Sequence, residues 1–316
     1  MTTAAWVVGS GGLLGSALRR GLQEDGTELF TPAQRFSWTD EARLCEQIGA
    51  ASSAFAASLD GAQAWEIYWA AGIGAMSSTE VELAMETRAL TGLLSHISAD
   101  ARFADKVGRF AFASSAGAIY AGTSAVVITE ATLPAPTTAY AREKLKQEEL
   151  VRSFALGSGK CTALIAQIST LYGVGQAHGK KQGLLAHIAR CILRNQVVHI
   201  YVPLDTIRDY IISDDAAAVM VGVLRKACAE VRTVTKIVAS EQPTTISEII
   251  SVFRKVARHP PRIATSASTL SSLYSHCVRF RSDVLREVGP KHRTGLLVGV
   301  AKVLAAERLD LAKGQK

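Results

Sequence analysis

A doubly wound α/β fold, with helices on both faces of a parallel sheet and a smaller C-terminal α/β part, is the architecture this sequence predicts. Three observations point to it. Short apolar runs alternate with helix-like stretches from the start of the chain. The first apolar run ends in a glycine-rich turn, and the strand–helix alternation resumes after Asp215.

Ala4–Val8 reads as a buried strand and Gly15–Asp25 as its helix, with Leu13, Leu14, Leu18 and Leu22 recurring at helical spacing. Between them lies Gly9-Ser10-Gly11-Gly12-Leu13-Leu14-Gly15. Glycines there allow a tight turn and close backbone approach to a pyrophosphate, while the helix start offers free N–H groups. Thr27–Phe30 reads as a short strand and Asp40–Leu59 as mainly helix. Trp65–Trp69 is an apolar strand, Glu80–Ala99 a helix, and Arg109–Ala113 a strand that ends at Ser114-Ser115. A helix carrying Tyr140 and Lys144 runs to about Phe154, and Cys161–Ile168 is a further strand. After Gly173 a polar, glycine-rich loop precedes a helix at Leu184–Arg194 and strands at Val197–Val202 and Tyr210–Ile212. Asp215–Lys226 (helix) and Thr233–Ala239 (strand) follow; helices and loops continue from Thr245 to a charged tail at Arg308–Lys316. The expected division is a dinucleotide-binding part at 1–173, to which 210–240 returns, and a substrate-binding part at 174–209 and 241–316.

The 316 residues, 48% of them hydrophobic, suffice for a large core. No run reaches the roughly 18 apolar residues of a membrane helix, and the chain enters its first strand without a signal-like segment. Five cysteines without a C-x-x-C pair point to free thiols in a reducing cytoplasm and to no structural metal. The net charge of +7 is dispersed, with no dense basic run, which argues against nucleic-acid binding and suits an anionic small substrate.

Tyr140 and Lys144 stand four residues apart and share one helix face. An ammonium beside a phenol favours the phenolate, so Tyr140 is expected to work as an acid/base below its ordinary pKa of about 10.

With these residues together, the chain resembles the extended short-chain dehydrogenase/reductase family, in its nucleotide-sugar epimerase/dehydratase branch of the UDP-galactose 4-epimerase type. The resemblance spans nearly the whole chain. It is carried by Gly9-x-x-Gly12-x-x-Gly15, the paired serines with Tyr120 after them, Tyr140-x-x-x-Lys144, Leu171-Tyr172-Gly173 and Ile207-Arg208-Asp209-Tyr210 through Asp215. It implies a Rossmann-type dinucleotide-binding fold, NAD or NADP as cofactor, a nucleotide-sugar substrate and a homodimer through a bundle that includes the Tyr140 helix. Tyr140 is then the proton-transfer group, and Lys144 its partner and a holder of the nicotinamide ribose. Ser115, with Ser114 as the alternative, is the hydroxyl at the reacting oxygen. Trp69, Ala70, Ala71 and Ser169 fall on the cofactor side. Arg208 falls at the substrate diphosphate, Gln182, Gly183 and Leu184 near the base, and Arg281, like Arg262, at a phosphate.

The sequence also departs from the family pattern. The acid expected at the end of the second strand is replaced at Ala33, followed by Gln34-Arg35, and an arginine there accommodates a 2′-phosphate. Glu86 stands where many relatives have asparagine, Gln167 where many have arginine, and Thr170 where many have asparagine. Ala116, Gly117 and Ala118 replace the acids a dehydratase places after its hydroxyl, and no Cys/His pair for inversion at C3 and C5 is evident. C4 epimerisation through a 4-keto sugar, in surface-polysaccharide synthesis, is the expected activity. NADPH-dependent reduction of a keto sugar or other carbonyl is the alternative, and a non-catalytic dinucleotide sensor a third.

Overall fold

The computed structural model describes residues 2–74, 78–176, 183–227, 232–266, 277–290 and 293–314. A parallel sheet of six strands forms its centre, built from β1 (Thr3–Val8), β2 (Glu28–Phe30), β3 (Ala64–Trp69), β4 (Val107–Ser115), β5 (Cys161–Ile168) and β9 (Thr233–Val238). Their order is β2-β1-β3-β4-β5-β9, all pairings parallel. From β1 the chain moves outward to β2, then crosses back to β3 on the other side. The C-terminal ends of β1 and β3 therefore splay at a topological switch point, where such sheets receive ligands.

Alternate residues of each strand face opposite sides of the sheet. Trp6, Trp65, Trp69, Phe110 and Phe112 pack on one side with helices α2 (Glu41–Ala57), α3 (Glu80–Ala99) and α6 (Ala139–Gly157). Ala5, Val7, Tyr68 and Leu164 pack on the other with α1 (Leu13–Glu24) and α8 (Ser213–Lys226). Each fully buried large side chain contributes roughly 1.5–3 kcal/mol. Two short helices flank β4, α4 (Ala101–Ala104) before it and α5 (Ala116–Ile119) directly after it.

A smaller part is assembled from β6 (Thr170–Tyr172), α7 (Leu184–Leu193), β7 (Val197–Ile200), β8 (Ile207–Ile212), β10 (Pro243–Thr245), α9 (Ile246–Val256), β11 (Arg262–Thr265) and α10 (Leu296–Ala312). β8 pairs with β6 and β10, and β7 with β11. Ile188, Val198, Phe253, Val300 and Val303 are buried at its core. Most of the stretch read as a charged tail is helical, because α10 continues to Ala312 while Glu307 pairs with Arg190 at 2.8 Å. On α6, Leu145 packs toward Ile119 and Tyr120, and Leu150 toward the tryptophan-rich core, so both leucines turn partly inward. Among the described residues no helix is long and apolar enough to cross a membrane.

Candidate active site

The glycine turn after β1 is shaped by what its residues lack. Gly9 has φ +85°, and a Cβ there would stand 2.6 Å from the Ala71 Cα. The end of β1 thus touches the end of β3 directly. A Cβ on Gly15 would stand 2.1 Å from the Gly9 carbonyl oxygen, so the first turn of α1 packs tightly against the loop. The Gly12 N–H donates to the Gly9 carbonyl at 2.9 Å and closes the turn. Gly12 caps α1 without any side-chain hydrogen bond, and nothing lies within 4 Å of a Cβ placed on Gly11. Open space in front of a helix start without a side-chain cap fits a pyrophosphate. Ser10 and Leu13 are half-buried at this opening, whereas Leu14 is in the core.

Ala70 and Ala71 bring backbone to the same place, the Ala70 N–H donating to the Val8 carbonyl at 2.9 Å. Trp69 turns away from it: its indole is fully buried and meets Trp38 edge-on at 6.5 Å. Arg35 is exposed in the loop beyond β2.

Tyr140 and Lys144 occupy the first two turns of α6, whose start is capped by the Thr138 side chain accepting from the Ala141 N–H at 3.2 Å. Ser115 ends β4, and its hydroxyl stands beside the Tyr140 phenol, close enough to pull the phenol's pKa down. Lys144 is buried, with its Nζ 2.5 Å from Glu86 Oε1 and 2.9 Å from Gln147 Oε1. That ammonium also lies 5.8 Å from the Tyr140 ring centroid and 5.2 Å from that of Phe112. Burial works against the Lys144 charge, but Glu86, Tyr140 and Glu148 outweigh it and its pKa is raised.

The expected lowering of the Tyr140 pKa is not what these surroundings produce. Desolvation pushes the phenol up and the Glu86 carboxylate adds to it, while Lys144 and Ser115 pull it down; the balance is upward. Spacing along α6 supplies the ammonium, but nothing local pairs it with Glu86, 58 residues away. One signal was available: Glu86 interrupts the apolar stripe of α3 formed by Leu83, Leu90, Leu93 and Ile97.

Ser114, the alternative hydroxyl, is occupied elsewhere. It faces α6 and donates to Glu148 Oε1 at 2.6 Å. Glu148 also accepts from Gln167 at 3.1 and 3.2 Å, and Gln167 accepts from the Tyr120 hydroxyl at 2.9 Å. Burial raises the Glu148 pKa against these bonds. Ser169 donates to Asp209 Oδ1 at 2.6 Å, and Asp209 further accepts from the Ser240 and Gln242 N–H groups at 2.8 and 3.1 Å. This carboxylate joins the end of β5 to β8 and to the segment after β9.

Arg208, on β8, donates to the Ile207 carbonyl at 2.8 Å. Gly183 caps α7 in a left-handed conformation and Leu184 begins that helix, half-buried. Gln182 lies outside the described residues. Arg281 is exposed and 3.5 Å from Asp283, and Arg262 is exposed on β11. Ser115, Tyr140 and Lys144 therefore form one compact group, whereas Ser114 and Ser169 are tied into neighbouring carboxylates.

A glycine turn at the switch point of a parallel sheet, with a Ser/Tyr/Lys group on the same sheet edge, defines a nicotinamide-dinucleotide enzyme of the short-chain dehydrogenase/reductase type. The chain belongs to the NAD dependent epimerase/dehydratase family, whose model matches residues 5–235. A dTDP-L-rhamnose 4-epimerase of Burkholderia thailandensis is 30% identical over 96 residues, a stretch covering 30% of this chain and 26% of that protein. Among solved structures, MoeE5 in complex with UDP-glucuronic acid and NAD superposes with a TM-score of 0.78 at 19% identity, covering 97% of this chain and 99% of that one. The UDP-glucose 4-epimerase of Thermotoga maritima with UDP-glucose gives 0.77 at 19% identity, covering 98% and 99%. RMD of Pseudomonas aeruginosa complexed with NADPH gives 0.76 at 19% identity, covering 97% and 99%. At these identities the structural likeness speaks for the fold.

Proposed function

We propose that this chain is a nucleotide-sugar epimerase that inverts C4 of its substrate through a 4-keto sugar. The observation that carries the reading is the grouping of Ser115, the Tyr140 phenol and the Lys144 ammonium on the sheet edge that bears the glycine turn. Gly9, Ser10, Gly11, Gly12, Leu13, Leu14, Gly15, Ala70 and Ala71 would hold NAD or NADP, with Trp69 behind them, Ser169 and Arg35 at the edges, and Tyr140 and Lys144 toward the nicotinamide. A nicotinamide bound there supplies a hydride acceptor and, in the reverse step, a hydride donor.

Tyr140 takes the proton of the C4 hydroxyl as that oxygen becomes a carbonyl, and returns it when the alcohol is re-formed with the opposite configuration. Ser115 donates a hydrogen bond to the same oxygen. No net oxidation results, and one Tyr/Ser/Lys group suffices. Ala116, Gly117 and Ala118 put no carboxyl beside Ser115 to drive dehydration. Arg208, Arg281, Gln182, Gly183 and Leu184 are the proposed grip on the nucleotide, a guanidinium fork suiting a diphosphate. The proposed setting is a cytoplasmic homodimer in surface-polysaccharide synthesis, with residues 1–173 and 210–240 binding dinucleotide and 174–209 and 241–316 binding substrate.

Arg35, exposed where the ribose-binding acid would stand, favours a second reading, an NADPH-dependent keto-sugar or carbonyl reductase. Identifying the dinucleotide that co-purifies separates the two. Tightly retained NAD is the expected result; protein that arrives empty and binds exchangeable NADPH contradicts the epimerase and supports the reductase.

A further inference from the structure

Glu86 is 1% exposed and is the one charged residue on the buried face of α3, which otherwise carries Leu83, Ala89, Leu90, Leu93, Leu94 and Ile97 with Thr87. Its two carboxylate oxygens do different work. Oε1 meets the Lys144 ammonium at 2.5 Å, and Oε2 accepts from the Gly74 N–H at 3.2 Å. The loop leaving β3 fits over this carboxylate only because it carries glycines. A Cβ on Gly72 would stand 2.7 Å from Glu86 Oε2, and one on Gly74 would stand 3.1 Å from the same oxygen and 3.4 Å from the Tyr140 ring. The carboxylate, the ammonium, the loop and the phenol ring are thus one packed unit.

Lys144 is further held by Gln147 Oε1, and the Gln147 amide donates to Thr87 Oγ1 at 2.9 Å. Two of the three ammonium donors are so directed. The charged and titratable groups facing Tyr140 are Lys144 from α6 and Glu86 from α3, with the Ser115 hydroxyl from β4; Glu148 faces Lys144 from α6. One positive and one negative charge in contact leave little net field to draw the proton from the phenol. A neutral side chain at position 86 would leave Lys144 as an uncompensated cation beside it. Removing one partner of a buried pair is costly, so the arrangement is strongly held.

We propose that Glu86 is a positioning residue that neutralises Lys144 and keeps Tyr140 in its protonated form, setting the site to hand a proton to a carbonyl oxygen. A keto sugar is the substrate class that uses this form directly, its carbonyl oxygen receiving the Tyr140 proton as hydride adds to the carbon. This rests on the placing of Tyr140 as the proton-transfer group above and favours the second reading, the keto-sugar reductase, because the epimerase must first use Tyr140 as the phenolate.

The test follows phenolate formation by ultraviolet absorbance in the protein as purified, subtracting Tyr140→Phe to isolate Tyr140. The midpoint is expected at or above the ordinary tyrosine value of about 10; a midpoint below about 9 overturns the proposal. In Glu86→Gln, against its own Tyr140→Phe double variant, the midpoint is expected to fall by roughly one unit or more. Glu86→Asn provides the same measurement with a shorter side chain, and circular dichroism checks that each variant is folded. An unchanged midpoint in a folded variant overturns the proposal, and the wild-type titration decides it if neither variant folds. No sugar is turned over in this experiment, so a negative result in a substrate panel leaves it standing, and its failure leaves the epimerase reading standing.

Discussion

In the proposed mechanism Tyr140 carries the chemistry, and its neighbours decide how. Tyr140→Phe removes only the hydroxyl, so dinucleotide binding is expected to stay nearly intact while turnover falls roughly 100- to 10,000-fold. Binding titration beside steady-state kinetics checks both halves. The two serines at the end of β4 separate in the same way. Ser115 reaches the phenol, so Ser115→Ala is expected to lower kcat roughly 100-fold with little loss of stability. Ser114 reaches the buried Glu148, so Ser114→Ala is expected to cost about 1–3 kcal/mol in urea unfolding and to spare kcat. The reverse pattern would exchange their roles. Tyr140, Lys144 and Ser115 were legible because motif order and spacing are local properties. The partners of Lys144 and Ser114 were not, since Glu86 and Glu148 approach them across 58 and 34 residues through packing alone.

At the scale of elements, the turn between β1 and α1 is the part most constrained by its side chains. Gly15→Ala forces a Cβ onto the Gly9 carbonyl, and dinucleotide affinity is expected to fall tenfold or more, about 1.4 kcal/mol. Gly11→Ala points into open space and tests how close the pyrophosphate lies: a bound dinucleotide against that backbone makes it costly too, whereas thermal stability stays unchanged. Calorimetric titration with NAD and NADP measures both. The strands were readable because their apolar runs are short and bounded, and the helices because their leucines repeat. Glu66 shows the limit of that reading. It sits in the middle of the apolar strand Trp65–Trp69 and is 1% exposed, made tolerable by Arg225 at 2.9 Å and the Tyr68 hydroxyl at 2.8 Å. The end of α10 was read as a tail because Arg308, Asp310 and Lys313 outweigh its leucines locally. The body of α10, anchored by Val300, Val303 and Leu304 and by the Glu307–Arg190 pair, carries the helix on through it nonetheless.

Across the whole molecule, sheet order determines where a ligand can lie. The switch between β1 and β3 opens a crevice at the glycine turn, and β4 brings Ser115 to the same edge as α6 brings Tyr140 and Lys144. β8 leaves this sheet to pair with β6 and β10, while α8 and β9 return to it, so Arg208 belongs to the smaller part. Short strands in small sheets carry little periodicity, which is why their pairing could not be read in advance. Together these parts are proposed to invert one carbon of a nucleotide-sugar. This inversion is tested most directly by incubating the protein with UDP-, dTDP- and GDP-sugars and following the sugar ring by proton NMR. The expected result is one substrate converted to its C4 epimer without net consumption of dinucleotide. Net consumption of NADPH, or no conversion of any nucleotide-sugar by protein that binds dinucleotide, would contradict it.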